Sequence, residues 1–235
     1  MSRYKELRLR VDEAARKAGR SPSEVILLGA SKAKAAELVV EACRNGLVHV
    51  GENFAQEARE KIPAVDGALA EAGHPRPSWH FIGRLQRNKA RLIVPLVECV
   101  QSVDRLSLAR ELDRRAGERD RPLEIMLQVN LSAETTKGGV APDALPTLLR
   151  DCAALPHLRV VGLMAIPAPS ADSEKAHEPF RRLRELRDGL SDQSGGEDLV
   201  HLSMGMSGDF EIAIAEGATV IRIGTALFGA RENKP

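Results

Sequence analysis

Aromatic residues are scarce in this chain. Of its 235 residues only 3% are Phe, Trp or Tyr, with one Trp and one Tyr. A surface that stacks single-stranded bases needs repeated aromatic platforms, so that class of function has no support here. An excess of one charge sign is lacking too: 34 Lys and Arg stand against 33 Asp and Glu, for a formal net charge of +1. No global field draws the chain to nucleic acid or to a membrane surface. The three cysteines, Cys43, Cys99 and Cys152, lie far apart. Their spacing fits no metal-ligand pattern and an odd number cannot all pair within the chain, so they read as reduced, small apolar core residues. No apolar run approaches the roughly 18 residues of a membrane helix. The first 19 residues are rich in Arg and Glu and lack the apolar core of a secretory signal. The expectation is a cytoplasmic protein with no metal, no membrane attachment and no nucleic-acid partner.

What is present is an ordinary globular composition, 43% hydrophobic and 29% charged. Residues 2–18 form an amphipathic helical pattern in which Leu7, Val11, Ala14 and Ala15 share a face, and Gly19 suits the position after its C-terminus. Eight apolar, β-type runs follow, at residues 25–32, 49–53, 79–83, 99–103, 124–130, 160–166, 200–206 and 220–224. Helical stretches come after them at 34–44, 55–62, 88–94, 105–116, 142–152, 175–190 and 210–216, with a last turn at 225–228. Asp104 is a credible N-cap for the helix at 105–116. Residues 63–77 read as a loop with at most a helical piece around Leu69, and 132–139 as a polar loop. Strict strand–helix alternation implies a parallel sheet. Eight units in this length predict a single (β/α)8 TIM-type barrel over residues 1–235, with the N-terminal helix of 1–19 packed on it. A doubly wound open sheet is the competing topology. Its dinucleotide-binding version lacks the G-x-G-x-x-G that should follow the first strand.

Function in such a barrel lies at the C-terminal ends of the strands. The first strand ends on Ser31-Lys32. A lysine there is either a solvated surface residue or a partly desolvated amine able to form a Schiff base. The seventh run leads into Ser203-Met204-Gly205-Met206-Ser207-Gly208-Asp209, and the eighth ends at Gly224-Thr225. Both open helices, and loops seven and eight are the usual phosphate site of these barrels; plain capping is the alternative. Alternation along the eighth strand sends Ile221 and Ile223 toward the helices and Arg222 inward with Val220. A buried guanidinium needs a partner, either a carboxylate such as Glu52 or a group on a ligand. A Schiff-base lysine, a phosphate cup and a polar group for a ring nitrogen are the three requirements of pyridoxal 5′-phosphate.

Several motifs together resemble the pyridoxal phosphate homeostasis protein family, whose barrel is similar to the N-terminal domain of alanine racemase. They are Ser31-Lys32, His49-Val50-Gly51-Glu52-Asn53, Trp79-His80-Phe81-Ile82-Gly83 with the Leu85-Gln86-Arg87-Asn88-Lys89 that follows, Gly162-Leu163-Met164-Ala165-Ile166, Ser203-Met204-Gly205-Met206-Ser207, and Val220-Ile221-Arg222-Ile223-Gly224-Thr225. They span nearly the whole chain. The resemblance implies that Lys32 is the cofactor lysine. It implies that Ser203, Gly224 and Thr225 hold phosphate with the backbone around Met204 and Gly205 nearby. Arg222 would meet the pyridine nitrogen, and Asn53 and Met164 would line the ring pocket. Two positions depart from the family pattern after the lysine, where Ala33 and Ala35 replace Thr and Pro, and Arg84 and Arg87 stand where neutral residues are commoner.

The residues also bear on what such a cofactor does. An arginine partner disfavours a second positive charge on the ring nitrogen, which weakens the ring as an electron sink. A racemase needs a second base, which alanine racemase draws from a tyrosine of another domain; the one tyrosine here is Tyr4, in the N-terminal helix. His80, His201 and Lys137 are the remaining candidates, and each reads more simply as a structural or solvated residue. The expectation is therefore a non-catalytic pyridoxal 5′-phosphate holder acting in cofactor homeostasis, monomeric, with apo-enzymes as possible recipients. A single-domain amino-acid racemase is the alternative, and a barrel enzyme for phosphorylated sugars or nucleotides a distant third.

Overall fold

The computed structural model describes residues 2–132, 138–168, 173–193 and 195–230. Its eight strands are β1 (Ile26–Ala30), β2 (His49–Glu52), β3 (Ser78–Phe81), β4 (Cys99–Val103), β5 (Leu123–Gln128), β6 (Leu158–Met164), β7 (His201–Ser203) and β8 (Val220–Ile223). Each pairs in parallel with its sequence neighbour and β1 pairs with β8, so the sheet closes into a barrel in the order of the chain. Closure settles the choice between barrel and open sheet.

The helices are α1 (Arg3–Lys17), α2 (Ala36–Arg44), α3 (Ala55–Glu71), α4 (Ala90–Ile93), α5 (Leu106–Ala116), α6 (Leu145–Ala153), α7 (Ser173–Asp188), α8 (Phe210–Ala215) and α9 (Thr225–Phe228). In α1 the Ser2 hydroxyl accepts from the Lys5 N–H, and Leu7, Val11, Ala14 and Ala15 are buried. Gly19 closes it with φ +70°, while the Arg20 and Gly19 N–H groups reach back to the Ala15 and Arg16 carbonyls. That paired closure is the glycine stop that the sequence predicts. The helix packs against α8 and α9.

Two local expectations fail. Residues 63–71 are not loop: α3 runs through Pro63 to Glu71. Ala58, Ile62, Val65 and Leu69 are spaced by four, three and four and all face the core. Their burial outweighs the one backbone hydrogen bond that an interior proline removes. Asp104 does not cap α5; the N-cap is Arg105, with no side-chain cap, and Asp104 instead pairs with the Arg105 guanidinium.

Alternation along the strands separates two apolar layers. Leu27, Ile221 and Ile223 join the large layer between sheet and helices. Leu28, Ile82, Cys99, Met126, Val161, Met164 and Val220 form a smaller cluster inside the barrel, flanked by Ile26 and Ala30. Among the described residues, no helix is long and apolar enough to cross a membrane and no group of His, Cys, Asp or Glu is arranged to hold a metal.

Candidate functional site

The strand ends gather around one cavity of about 370 Å³. Its wall runs from Ala30, Lys32 and Lys34 past Asn53, Ile82 and Ile166 to Met206, Ser207 and Gly208, and closes on Arg222, Gly224, Thr225 and Gly229. All but Gly229, which follows α9, sit near the C-terminal end of a strand or in the loop that leaves it. The volume falls in the range of roughly 300–1,000 Å³ typical of small-molecule sites.

Lys32 stands on a turn in which the Lys34 N–H donates to the Ser31 carbonyl. The turn places Ala33 at φ 56°, a left-handed conformation that an alanine adopts only under constraint. A buried charge cluster supplies the constraint. The Ser31 hydroxyl donates to Glu52 Oε1 (2.6 Å). Lys61 Nζ donates to the Ser31 carbonyl (2.7 Å), to the same Glu52 oxygen (2.8 Å) and to Glu57 Oε1 (2.6 Å). The Ala33 N–H donates to Glu57 Oε1 (2.7 Å). Residues from β2 and α3 thus grip the turn on both sides of Lys32. Glu52 was a sequence candidate for the partner of Arg222; the structure gives it to Ser31 and Lys61 instead. Burial pushes the Glu52 carboxyl up, opposed by Lys61 and by the Ser31 hydrogen bond.

Three lysines lie close together here, and their amines differ. Lys61 is committed to two carboxylates. Lys34 Nζ donates to the Gly229 (3.0 Å) and Ala230 (2.5 Å) carbonyls. Lys32 has no hydrogen bond or ion pair among the described residues, although it is only partly exposed and lines the cavity. It is the amine at this mouth that is positioned and unspent.

Arg222 points inward, as the strand alternation predicts. Nη1 donates to Ser203 Oγ (2.6 Å) and Nη2 to the Ala165 carbonyl (2.8 Å). Burial lowers its pKa to about 10, against the attraction of Asp209, so it remains a cation at neutral pH. Two of its five N–H donors are accounted for by these bonds, and the side chain borders the cavity. Asn53 Oδ1 is buried without a hydrogen-bond partner among the described residues. A stranded polar atom on a cavity wall calls for a ligand atom or water opposite it.

The sequence candidates divide into two levels. Lys32, Asn53, Arg222, Gly224 and Thr225 line the cavity. Met164 and Ser203 are buried inside the barrel, Met204 in the layer between sheet and helices, and Gly205 against α8. The Ser203 hydroxyl faces Arg222 and Gln101, with Gln101 Oε1 at 2.7 Å. Gly205 has φ +93°, and a Cβ there would lie 2.6 Å from the Ala213 Cβ, so it shapes the loop that carries Met206 to Gly208. Ser207 holds the wall position near α9, where its hydroxyl accepts from the Ala226 N–H (3.3 Å). Ser207, Met206, Gly208 and Lys34 were missed as individual sites. The strand-end reading took in the run from Ser203 to Ser207 but singled out its first residues, whereas β7 ends at Ser203 and the loop after it brings Met206, Ser207 and Gly208 to the wall.

Of the alternative bases, His80 is fully enclosed and bonded to Gln101 and His49, and His201 to Thr219. Lys137 lies outside the described residues. Tyr4 lines a different cavity, between α1, α2 and α9.

Residues 5–232 match the family described as alanine racemase, N-terminal domain. The pyridoxal phosphate homeostasis protein of Pseudomonas aeruginosa is 49% identical over 223 residues, covering 95% of this chain and 92% of that protein. A crystal structure of an unknown protein from Bifidobacterium adolescentis superposes with a TM-score of 0.90 at 34% identity, covering 96% of this chain and 92% of the other. The structure of PipY from Synechococcus elongatus with PLP bound superposes with a TM-score of 0.79 at 36% identity, covering 93% of this chain and 100% of that one.

Proposed function

The chain belongs to the pyridoxal phosphate homeostasis protein family, a branch of the alanine racemase N-terminal-domain fold, and from that premise we propose that it holds pyridoxal 5′-phosphate at the barrel mouth without robust catalysis. The observation that carries this reading is the uncommitted Lys32 amine on the wall of a cavity that also presents Arg222 and the unpartnered Asn53 oxygen. The residues fit the cofactor in kind: an amine for its aldehyde, a cation for its ring nitrogen, and hydroxyls and glycine backbone for its phosphate.

Lys32 would hold the cofactor through its aldehyde. The cofactor would supply an electron-withdrawing ring. Arg222, fixed by Ser203 and Ala165, would donate to the ring nitrogen and disfavour its protonation, which would limit that withdrawal. Ser207, Gly224 and Thr225, with Gly208 beside them, would take the phosphate, and Ser203 would act from below through Arg222. Asn53 would supply a polar contact to the ring. The described cavity wall contains no carboxylate, imidazole or phenol, and its second amine, Lys34, is tied to two backbone carbonyls. That composition favours a holder over a racemase, which needs a base on each face of its substrate.

The physiological role that fits is storage and delivery of the cofactor inside the cytoplasm by a monomer, with apo-enzymes as recipients. Two measurements test the reading. Holo-protein mixed with an apo-enzyme across a size-selective membrane, and in direct contact with it, should activate the enzyme faster in contact; equal rates would leave only release into solution. Incubation with L-amino acids in D₂O should give no sustained α-proton exchange. Exchange that depends on Lys32 would overturn the non-catalytic reading.

A further inference from the structure

The barrel interior carries a line of polar side chains that the site just described uses only at its upper end. Arg222 Nη1 donates to Ser203 Oγ, and Ser203 Oγ lies 2.7 Å from Gln101 Oε1. Gln101 Nε2 lies 3.1 Å from His80 Nδ1, and His80 Nε2 lies 3.2 Å from His49 Nδ1. The line starts near the end of β8, crosses through β7, β4 and β3, and finishes on the first residue of β2, at the opposite end of the barrel from the cavity. Ser203, Gln101, His80 and Arg222 are all buried.

Donor chemistry fixes the direction of every link. A guanidinium only donates, so Ser203 accepts from Arg222. The remaining Ser203 proton has Gln101 Oε1 as its acceptor. The amide orientation follows, and Gln101 Nε2 donates to His80 Nδ1. His80 then carries its proton on Nε2 and donates it to His49 Nδ1. Flipping the amide reverses the lower links but strands the Ser203 proton in the core, where a buried unpaired donor is disfavoured. Arg222 therefore polarises a one-way chain in which both histidines are neutral.

Building on the cofactor-binding reading, we propose that Gln101 and His80 are positioning residues that hold Arg222 on the cofactor's ring nitrogen through this one-way hydrogen-bond chain. Gln101 keeps the Ser203 proton turned away from Arg222, so that Ser203 always offers the guanidinium a lone pair. His80 in turn fixes the amide of Gln101. The groups around the lower end agree with neutral rings. Burial, with His49 and His201 nearby, lowers the pKa of His80 to about 3. Burial and His201 also lower that of His49, against Glu124 and Glu98; Ser78 Oγ lies 3.4 Å from His80 Nε2 and adds no charge.

Nitrogen-15 NMR of the histidine rings in the intact wild-type chain is the first test. His80 should be neutral and protonated on Nε2 from pH 8 to pH 6, and its ring signals should move when pyridoxal 5′-phosphate is added, although it does not line the cavity. A His80 protonated on Nδ1, or cationic at pH 6, overturns the chain. The second test is Gln101→Leu. Loss of the amide, which accepts from Ser203 and donates to His80, frees the Ser203 proton to turn toward Arg222 and should weaken cofactor binding by about tenfold. The absorption of the bound cofactor, flat with pH in the wild type, should acquire a pH dependence as the ring nitrogen becomes free to take a proton. Unchanged affinity together with a flat spectrum in Gln101→Leu overturns the positioning role. A wild-type chain that takes up no cofactor instead overturns the binding reading on which the role rests, and the histidine tautomers then report on the chain alone.

Discussion

Lys61→Met probes the device that holds Lys32 in place. The Lys61 side chain is 8% exposed and its partner Glu52 is fully buried. Methionine keeps the length and apolar stem of lysine and removes only the ammonium. Among the described residues Glu52 then keeps the Ser31 hydroxyl as its one hydrogen-bond donor, with Oε2 already unpaired. Breaking one side of a buried ion pair costs about 3–5 kcal/mol. In a chain of this length each kcal/mol moves the melting temperature by about 2–4 °C, so the variant should melt roughly 6–20 °C lower at pH 8. The deficit should depend on pH. Burial already sets the Glu52 carboxyl above the ordinary carboxylate range, with Lys61 as the main opposing influence. A carboxyl raised by folding stabilises the fold most below its unfolded pKa, and that contribution is lost as pH rises through the folded value. Removing Lys61 raises the folded value further, so the deficit should be largest at pH 8 and shrink toward pH 5. Glu52→Gln placed on top of Lys61→Met removes the stranded charge and should recover about 1–3 kcal/mol, a coupling that thermal unfolding of the four proteins measures directly. A deficit equal at pH 5 and pH 8, or a coupling below about 0.5 kcal/mol, would refute the reasoning.

Other outcomes follow from the same geometry. Gly83→Ala places a Cβ 2.1 Å from the Asn53 carbonyl oxygen; it should cost about 1–3 kcal/mol and weaken cofactor binding, and a variant with wild-type melting and affinity would contradict the packing of β3 behind Asn53. Burial pushes the Cys43 and Cys152 thiols up to about 12 and Cys99 well above its usual value. Ellman's reagent at pH 8 should therefore find no fast thiol in the native protein and three in the denatured one, whereas a fast native thiol would contradict the burial. Arg222→Glu puts a carboxylate in place of the guanidinium on the cavity wall; if Arg222 meets the ring nitrogen as proposed, the bound-cofactor spectrum should shift and α-proton exchange should appear, and neither happening would refute that pairing.

The barrel was legible because eight apolar runs alternate with helical ones and because turn residues separate them. Alternation also placed Arg222 correctly, since a residue between Ile221 and Ile223 faces the other side of the sheet. Proline misled at Pro63, where local chemistry marks a stop and the packing of Val65 and Leu69 overrides it. Trp79 shows how long-range partners escape a linear reading: its indole N–H donates to Asp66 (2.8 Å), a residue of the stretch read as loop. The partners of Glu52 escaped for the same reason, because Lys61 reaches the Lys32 turn only once α3 has packed beside β2. The level of a site residue, on the wall or beneath it, depends on how deep each strand ends. Ser203 and Ser207 look equivalent in sequence, and only the closed barrel separates them.

The central claim is that Lys32, alone among the amines of this mouth, holds the cofactor's aldehyde. Borohydride reduction of the intact protein loaded with pyridoxal 5′-phosphate, followed by peptide mapping, tests it most directly. The account predicts one reduced pyridoxyl group per chain, on Lys32, and none on Lys34 or Lys61. A label on either of those lysines, or an unlabelled Lys32 in a protein that has bound the cofactor, would contradict it.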